Sequence, residues 1–247
     1  MIVLALNNEL LADVKAFDEQ YSDLTILGYG TGTPDPRFYY VEVPGRNGVL
    51  DLTSAIGPVT YDNRQVWFSV REYANPPRHL FKYSSLLNRY HGKLVKIVFD
   101  DDKEYYYTGR CEVKTEYIDN NTRDITFEID ADPLKYPVYA SDEDWLWDPF
   151  NFETGVIRNY ANLTVSGTRQ VEVIAYEQAE SPKFYVTLNS GQTTMQMQYD
   201  GNTYYLTNGM NTFPQIVLQS LDVHTDIHTF TFKGQGKVSI NLSGGIL

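Results

Sequence analysis

Two histidines four residues apart, His224 and His228, are flanked by Asp222 and Asp226, and imidazole beside carboxylate is a metal-binding vocabulary. On a strand or a helix the pair shares a face. Yet no Glu stands where a zincin needs its base, and no third ligand is signalled, so the segment reads as a half-exposed strand end. Asp100-Asp101-Asp102-Lys103-Glu104 opens like a calcium loop, but Tyr105 takes the position where that loop needs glycine for its bend. It reads as a solvated hairpin turn. Gly28-Tyr-Gly-Thr-Gly32 lacks the nucleotide-binding spacing, and Pro34 and Pro36 stand where a phosphate-binding helix would begin. There is no G-x-S-x-G, and Cys111, the single cysteine, shares an alternating register with Val113 and Thr115 that suits a packed thiol. A hydrolytic carboxylate pair stays open, because 32 acidic side chains always allow two to meet. Trp145 and Trp147, near Tyr139 and Phe150, have the chemistry of a sugar-stacking platform, though such clusters more often pack a domain junction.

The elements that must hold these residues follow from composition and pattern. The chain has 247 residues and 20 tyrosines, a β-rich composition suited to extensive half-buried surfaces. A formal charge of −12 leaves no basic stripe for phosphates, which disfavours tight nucleic-acid binding and attraction to anionic membranes. One cysteine allows no internal disulfide, so the fold rests on its core. The apolar start Met1–Leu6 is too short for a signal sequence and no run reaches membrane-spanning length. The sequons at Asn120, Asn162 and Asn241 then read as chance in a protein made in the cytoplasm.

Ala131–Val138, with two prolines, reads as a linker. Residues 1–140 hold 15 basic and 21 acidic side chains and residues 141–247 only 5 and 11, a shift that supports two domains, 1–136 and 137–247. In the first, the segment from Pro76-Pro77 through Tyr90 reads as helix, with Leu80, Tyr83, Leu87 and Tyr90 at helical spacing and Gly92 just past its end. Leu94–Phe99, Tyr105–Arg110, Cys111–Ile118 and Asp124–Asp130 read as strands, with Ile125, Phe127 and Ile129 facing inward. Leu10–Leu24 fits a helix or two short strands, and strands are the reading adopted. The second domain reads as seven strands: Val171–Tyr176, Lys183–Leu188, Thr194–Tyr199, Thr203–Leu206, Gln215–Leu218, His228–Phe232 and Lys237–Leu242. Turns are expected at Ser190-Gly191, Asp200-Gly201, Asn208-Gly209 and Gly234-Gln-Gly236. That is a β-sandwich pattern.

Val41–Thr53, VEVPGRNGVLDLT, is a hairpin by its chemistry. Pro44 fixes φ, Gly45, Asn47 and Gly48 suit positive φ, and strand-forming residues flank Arg46 at the tip. This string, with Asn63-Arg64 beyond it, resembles the N-terminal domain of the distal tail protein (Dit) family of long-tailed, siphovirus-type phages and their prophage copies. Four further segments resemble the family in the same order: Ser84–Gly92 ending Tyr-His-Gly, Lys96–Arg110 with its acidic turn and Gly-Arg, Asp132-Pro-Leu-Lys-Tyr136, and Lys233–Ile240 with its Gly-x-Gly.

The resemblance implies a mainly β protein of two domains. The first would be sandwich- or barrel-like with one α-helix and a protruding hairpin, the second a galectin-like β-sandwich. It implies a non-enzymatic, cofactor-free structural hub of the virion tail tip: a homo-hexameric ring between the tail tube protein and the tail-associated hub protein (Tal), with receptor-binding protein at the periphery. DNA would pass through the ring without tight binding, and a separate expectation is that acidic side chains line the ring's hole and keep DNA mobile. The expected protomer contact is Tyr39, Tyr40, Val41, Pro44, Gly45, Arg46, Asn47 and Gly48. Two other functions compete: a carbohydrate-binding module for host-surface adhesion centred on Trp145 and Trp147, and a hydrolase.

Overall fold

A computed structural model describes residues 1–56, 59–73, 76–119, 121–138, 157–178, 181–220, 225–242 and 244–247, with backbone alone for 76–81. The chain is mainly β and divides into two compact units, Met1–Lys135 and Tyr136–Ile246.

The first unit contains β1 (Ile2–Leu6), α1 (Phe17–Gln20), β2 (Leu24–Thr31), β3 (Pro36–Arg37), β4 (Tyr40–Glu42), β5 (Val49–Asp51), α2 (Thr53–Ile56), β6 (Thr60–Tyr61), β7 (Arg64–Tyr73), α3 (Pro76–Tyr90), β8 (Leu94–Phe99), β9 (Tyr105–Tyr117) and β10 (Thr122–Ala131). Its main sheet is antiparallel in the order β1-β8-β9-β10-β7-β2. Alternation dictates its inner face. Val66, Phe68 and Val70 of β7 stand beside Ile125, Phe127 and Ile129 of β10, all buried. Phe68 and Phe127 stack at 4.5 Å, and Phe17 meets both edge-on at 5.1 and 5.3 Å. The sheet curls until Tyr29 of β2 stacks on Phe99 of β8 at 4.7 Å.

Helix α3 covers this core with Leu86 and Tyr90, backed by the half-buried Tyr83 and Leu87. It stops where expected: Gly92 takes φ +72°, and the amides of His91 and Lys93 donate to the carbonyls of Leu87 and Tyr90. Burial raises the pKa of the Tyr90 phenol above its usual range.

The second unit contains β11 (Tyr136–Pro137), β12 (Leu163–Ile174), β13 (Lys183–Leu188), β14 (Met195–Tyr199), β15 (Asn202–Leu206), β16 (Gly209–Thr212) and β17 (Ile227–Asn241). Strand β17 organises it. Along one edge it pairs with β12. Along the other it pairs first with β14, through Thr231–Lys233, and then with β13, through Gly236–Asn241. The sheet therefore splits, with β14-β15 leaving one half of β17 and β13-β16 the other. Phe230, Phe232, Val238 and Ile240 meet Phe184, Val186, Met195 and Met197 in its core.

Several expectations need correction. Leu10–Leu24 is not a pair of strands: it forms a single 3-10 turn at Leu11–Asp13 and the one-turn α1, which drives Phe17 into the aromatic core. Tyr105–Tyr117 is one strand rather than two, because Gly109 lies within it at the crossing of β8 and β10. Gly234-Gln-Gly236 is not a turn but the interior of β17. Both glycines hold φ values (+153° and +158°) that favour glycine, at the point where the strand exchanges β14 for β13. Gln215–Leu218 is not a strand, since the Ile216 amide donates back to the Phe213 carbonyl in a turn. The strand on that side is instead Gly209–Thr212, organised by buried Asn211, which donates to the Thr207 and Gly209 carbonyls.

A Cβ at Gly109 would stand 2.2 Å from the Asp130 carbonyl oxygen, whereas one at Gly45 would meet nothing within 4 Å. Gly109→Ala should therefore destabilise the first unit by about 3 kcal/mol, the upper end of overpacking costs. Gly45→Ala should cost only the left-handed backbone penalty, about 1 kcal/mol. Urea unfolding of the two variants should reproduce that order.

Candidate functional site

After β2 the chain leaves the main sheet as an arm. The Gly32 amide still donates to the Gln65 carbonyl (2.7 Å), and Pro34 is buried. Two short ladders then follow one another. In the first, Pro36–Arg37 pairs with Thr60–Tyr61, braced by an Arg37–Asp62 ion pair and by the Asp62 amide donating to the Asp35 carbonyl (2.8 Å). In the second, Tyr40–Glu42 pairs with Val49–Asp51.

Thr53 locks the base of the second ladder. Its hydroxyl oxygen accepts from the Tyr39 amide at 3.0 Å, and its own amide donates to the Asp51 carboxylate at 2.9 Å. The Leu52 amide donates to the Tyr39 carbonyl at 2.8 Å. At the tip the Arg46 amide closes onto the Val43 carbonyl at 3.1 Å, with Gly45 and Gly48 at φ +82° and +76°. Asn47, expected to share the positive φ, does not, because the two glycines absorb the reversal.

All eight expected contact residues lie on this arm and all are exposed: Tyr39, Tyr40 and Val41 along its first side, and Pro44, Gly45, Arg46, Asn47 and Gly48 across its tip. Six large hydrophobic residues are exposed between Phe38 and Val49, with Phe38 and Tyr40 ring to ring at 5.8 Å. A single exposed hydrophobe needs no explanation, but six within twelve residues form a patch of the kind partners cover. Three cross-strand pairs are also too few to make a hairpin stable by itself in water.

The charges of the first unit divide sharply. Glu72 and Arg123, directly opposite across β7 and β10, are both wholly buried and joined at 2.8 Å. The Arg123 guanidinium lies between the rings of Tyr83 and Tyr117, at 4.9 and 5.5 Å, which ties α3 to the sheet. At the other end of β7, Arg64 occupies the inward register of Val66 and Phe68 and is 7% exposed. It packs over the Tyr107 ring at 5.5 Å, but its Nε has no acceptor and it makes no ion pair among the described residues.

Arg64 lines a cleft of about 520 Å³ together with Asn63, His91, Arg110, Asp130 and neighbouring residues. Arg110 donates to the Gly92 carbonyl (2.7 Å), and the Val113 amide donates to His91 Nδ1 (3.1 Å), which leaves the ring proton on Nε2. On the outer face Lys114 takes up Glu112 and Glu128, and Gln65 also donates to Glu128. This cleft was not anticipated from the sequence. Its lining side chains Gln65, Arg110, Glu112, Glu128 and Asp130 stand on the outer face of the sheet, opposite to the inward register of Arg64, with Asp130 directly across from Arg110.

The other chemical candidates are accounted for as packing or turns where they are described. Cys111 is buried, and burial pushes its thiol up to about 12, far from a nucleophile's range. The acids of Asp100–Asp102 close the β8–β9 turn, with Asp100 paired to Lys103 and Asp102 to Lys135. The glycines of Gly28–Gly32 belong to β2 and the residue after it. His228 sits between the Tyr199 hydroxyl and the Gln219 carbonyl, 2.9 Å from each. Its expected companions His224 and Asp222, like Trp145, Trp147, Tyr139 and Phe150, lie outside the described residues. Among the described residues no three His, Cys, Asp or Glu side chains gather as a metal site, and no helix is long and apolar enough to cross a membrane.

No family model matches the chain, and no curated protein matches it. Among solved structures it is similar to phage SPP1 Dit (gp 19.1), described as a paradigm of the hub adsorption apparatus in phages infecting Gram-positive bacteria. The two align over 98% of each chain, with a TM-score of 0.54 and 12% identity. The fold is Dit-like.

The Thr53 hydrogen bonds hold the Asp51 carboxyl below its ordinary value of 3.8. Its support of the arm's base is therefore complete above that value and lost as pH falls through the lower, folded one. Exchange of the Thr53 amide should slow less than its intrinsic rate predicts as the solution is acidified through that window. Asp51→Asn should remove that departure and leave only the intrinsic pH dependence of exchange.

Proposed function

We propose that this chain is a structural hub component of the tail tip of a long-tailed phage or prophage, made in the host cytoplasm, and that it performs no catalytic step. The observation that carries this reading is the end-to-end likeness to SPP1 Dit, a protein of a hub adsorption apparatus. Residues 1–136 are the ring-forming domain and residues 137–247 a galectin-like domain projecting from the ring. The ring is a homo-hexamer that joins the tail tube protein to the tail-associated hub protein, with receptor-binding protein attached at its periphery. An acidic lumen lets DNA pass without being held, consistent with the formal charge of −12.

The arm supplies the physics of assembly. Its exposed backbone edges and aromatic residues suit strand addition to a neighbour. A contact between two different patches of one chain repeats head to tail, and it closes into a ring when its rotation closes. Tyr39, Tyr40, Val41 and the tip Pro44–Gly48 form one of those patches.

Mass measurement of the full chain in solution should give a hexamer, and a monomer at high micromolar concentration would overturn the reading. Deleting Pro44–Gly48 should abolish rings in electron micrographs while leaving the β-sheet circular dichroism signal intact. Unchanged hexamers would remove the arm from the interface.

A further inference from the structure

The chain contains two Asn-Gly steps, Asn47-Gly48 and Asn208-Gly209. An asparagine before glycine is open to attack on its own side chain, because no Cβ shields the glycine amide. The glycine nitrogen must reach the asparagine Cγ, so the surrounding fold decides which step can react. These two steps are held in opposite ways.

Asn208 is fixed. Its Oδ1 accepts from the Leu188 amide at 3.0 Å, and Gly209 begins β16, in register with Val186 of β13. The backbone on either side is clamped by Asn211, which accepts from the Thr207 amide at 2.8 Å. Asn211 also donates to the Thr207 and Gly209 carbonyls at 2.8 and 3.0 Å. Turning the Asn208 side chain onto the Gly209 nitrogen would give up the Leu188 bond and disturb this clamp.

Asn47 has no such restraint. It lies in the arm's tip, between the end of β4 at Glu42 and the start of β5 at Val49, so Gly48 stands outside the ladder. Asn47 is exposed, and among the described residues neither its side chain nor the Gly48 amide enters a hydrogen bond. A Cβ placed on Gly48 would meet nothing within 4 Å, so the space that ring closure needs is open.

We infer that Asn47 is a site of spontaneous deamidation, selected over Asn208 by the fold. The Gly48 nitrogen bonds to Asn47 Cγ and gives up its proton to solvent hydroxide. The side-chain nitrogen takes a proton from solvent and leaves as ammonia, which closes a five-membered succinimide. Water then opens either of the two ring carbonyl–nitrogen bonds. One product is aspartate at position 47; the other is isoaspartate, whose backbone runs through the side chain. Both put a carboxylate beside Arg46, and isoaspartate lengthens the turn by one methylene. The reaction needs only water and base. The inference does not rest on the proposed ring, although a contact that covered the tip would slow the conversion.

The test incubates the full chain in mildly alkaline buffer, native and in urea, and follows both steps by peptide mapping and mass spectrometry. In the native chain Asn47 should convert about tenfold faster than Asn208 or more, since Asn208 must first open locally. In urea, where neither side chain is held, the two rates should draw level. Equal rates in the native chain at the lowest protein concentration, or the same contrast in urea, would overturn the inference. The series is repeated across protein concentration with assembly followed by sedimentation. Conversion at Asn47 that slows only where the chain assembles would support both this site and the tip's place in the ring. A fast rate unchanged by assembly would support the site and remove the tip from the contact.

Discussion

Both units depend on one constraint: a single long strand must serve different neighbours along its length. Strand β9 meets β8 through its first part and β10 through its second, and the two overlap at Gly109 and Arg110. Strand β17 leaves β14 after Lys233 and takes up β13 from Gly236. At such a crossing the sheet bends sharply and backbones approach within the space a Cβ would fill. At Gly109 that atom would collide with the Asp130 carbonyl, and at Gly236 with that of Thr187, 2.5 Å away. Glycine at these two points lets each sheet curl, and the curl gives each unit an inside. Without it, Phe68 and Phe127 in one unit, or Phe184 and Phe232 in the other, would lie on an open face.

The same constraint explains which parts of the fold were legible in the sequence. Strands Leu94–Phe99 and Lys183–Leu188 have the bounds their residues predict, because alternation and flanking turns are local signals. The end of α3 at Gly92 was equally legible. Gly234-Gln-Gly236 was not, since a glycine pair reads alike whether it turns the chain or admits another backbone. What decides is Leu188 and Thr187, nearly fifty residues away. Leu10–Leu24 failed for a related reason. Its apolar spacing suits either element, and the pull of Phe68 and Phe127 on Phe17 settles it.

The candidate site divides along the same line. The arm was visible because Pro44-Gly45 and Gly48 carry their turn chemistry locally, and its strands proved only shorter than their composition suggested. The cleft was invisible because it is assembled from segments that no spacing rule connects. Even so, alternation in β7 marks both of its inward charges. Glu72 finds Arg123 within the fold, and Arg64 finds only Tyr107.

A sheet that curls still has two end strands, and an arm of three cross-strand pairs adds further unpaired edges beside six exposed hydrophobic residues. In a lone molecule this is an aggregation liability. A partner whose geometry ends the association would cover the same features. Open-ended strand addition would give filaments, whereas a contact that also demands a specific set of charges accepts one register and one orientation. In such a contact the apolar strand of the arm would supply the attraction, and the exposed charges of Glu42 and Arg46 the discrimination. The two roles require the tip to be stiff. The Thr53 bonds to Tyr39 and Asp51, together with the two positive-φ glycines, provide that stiffness without a core beneath it.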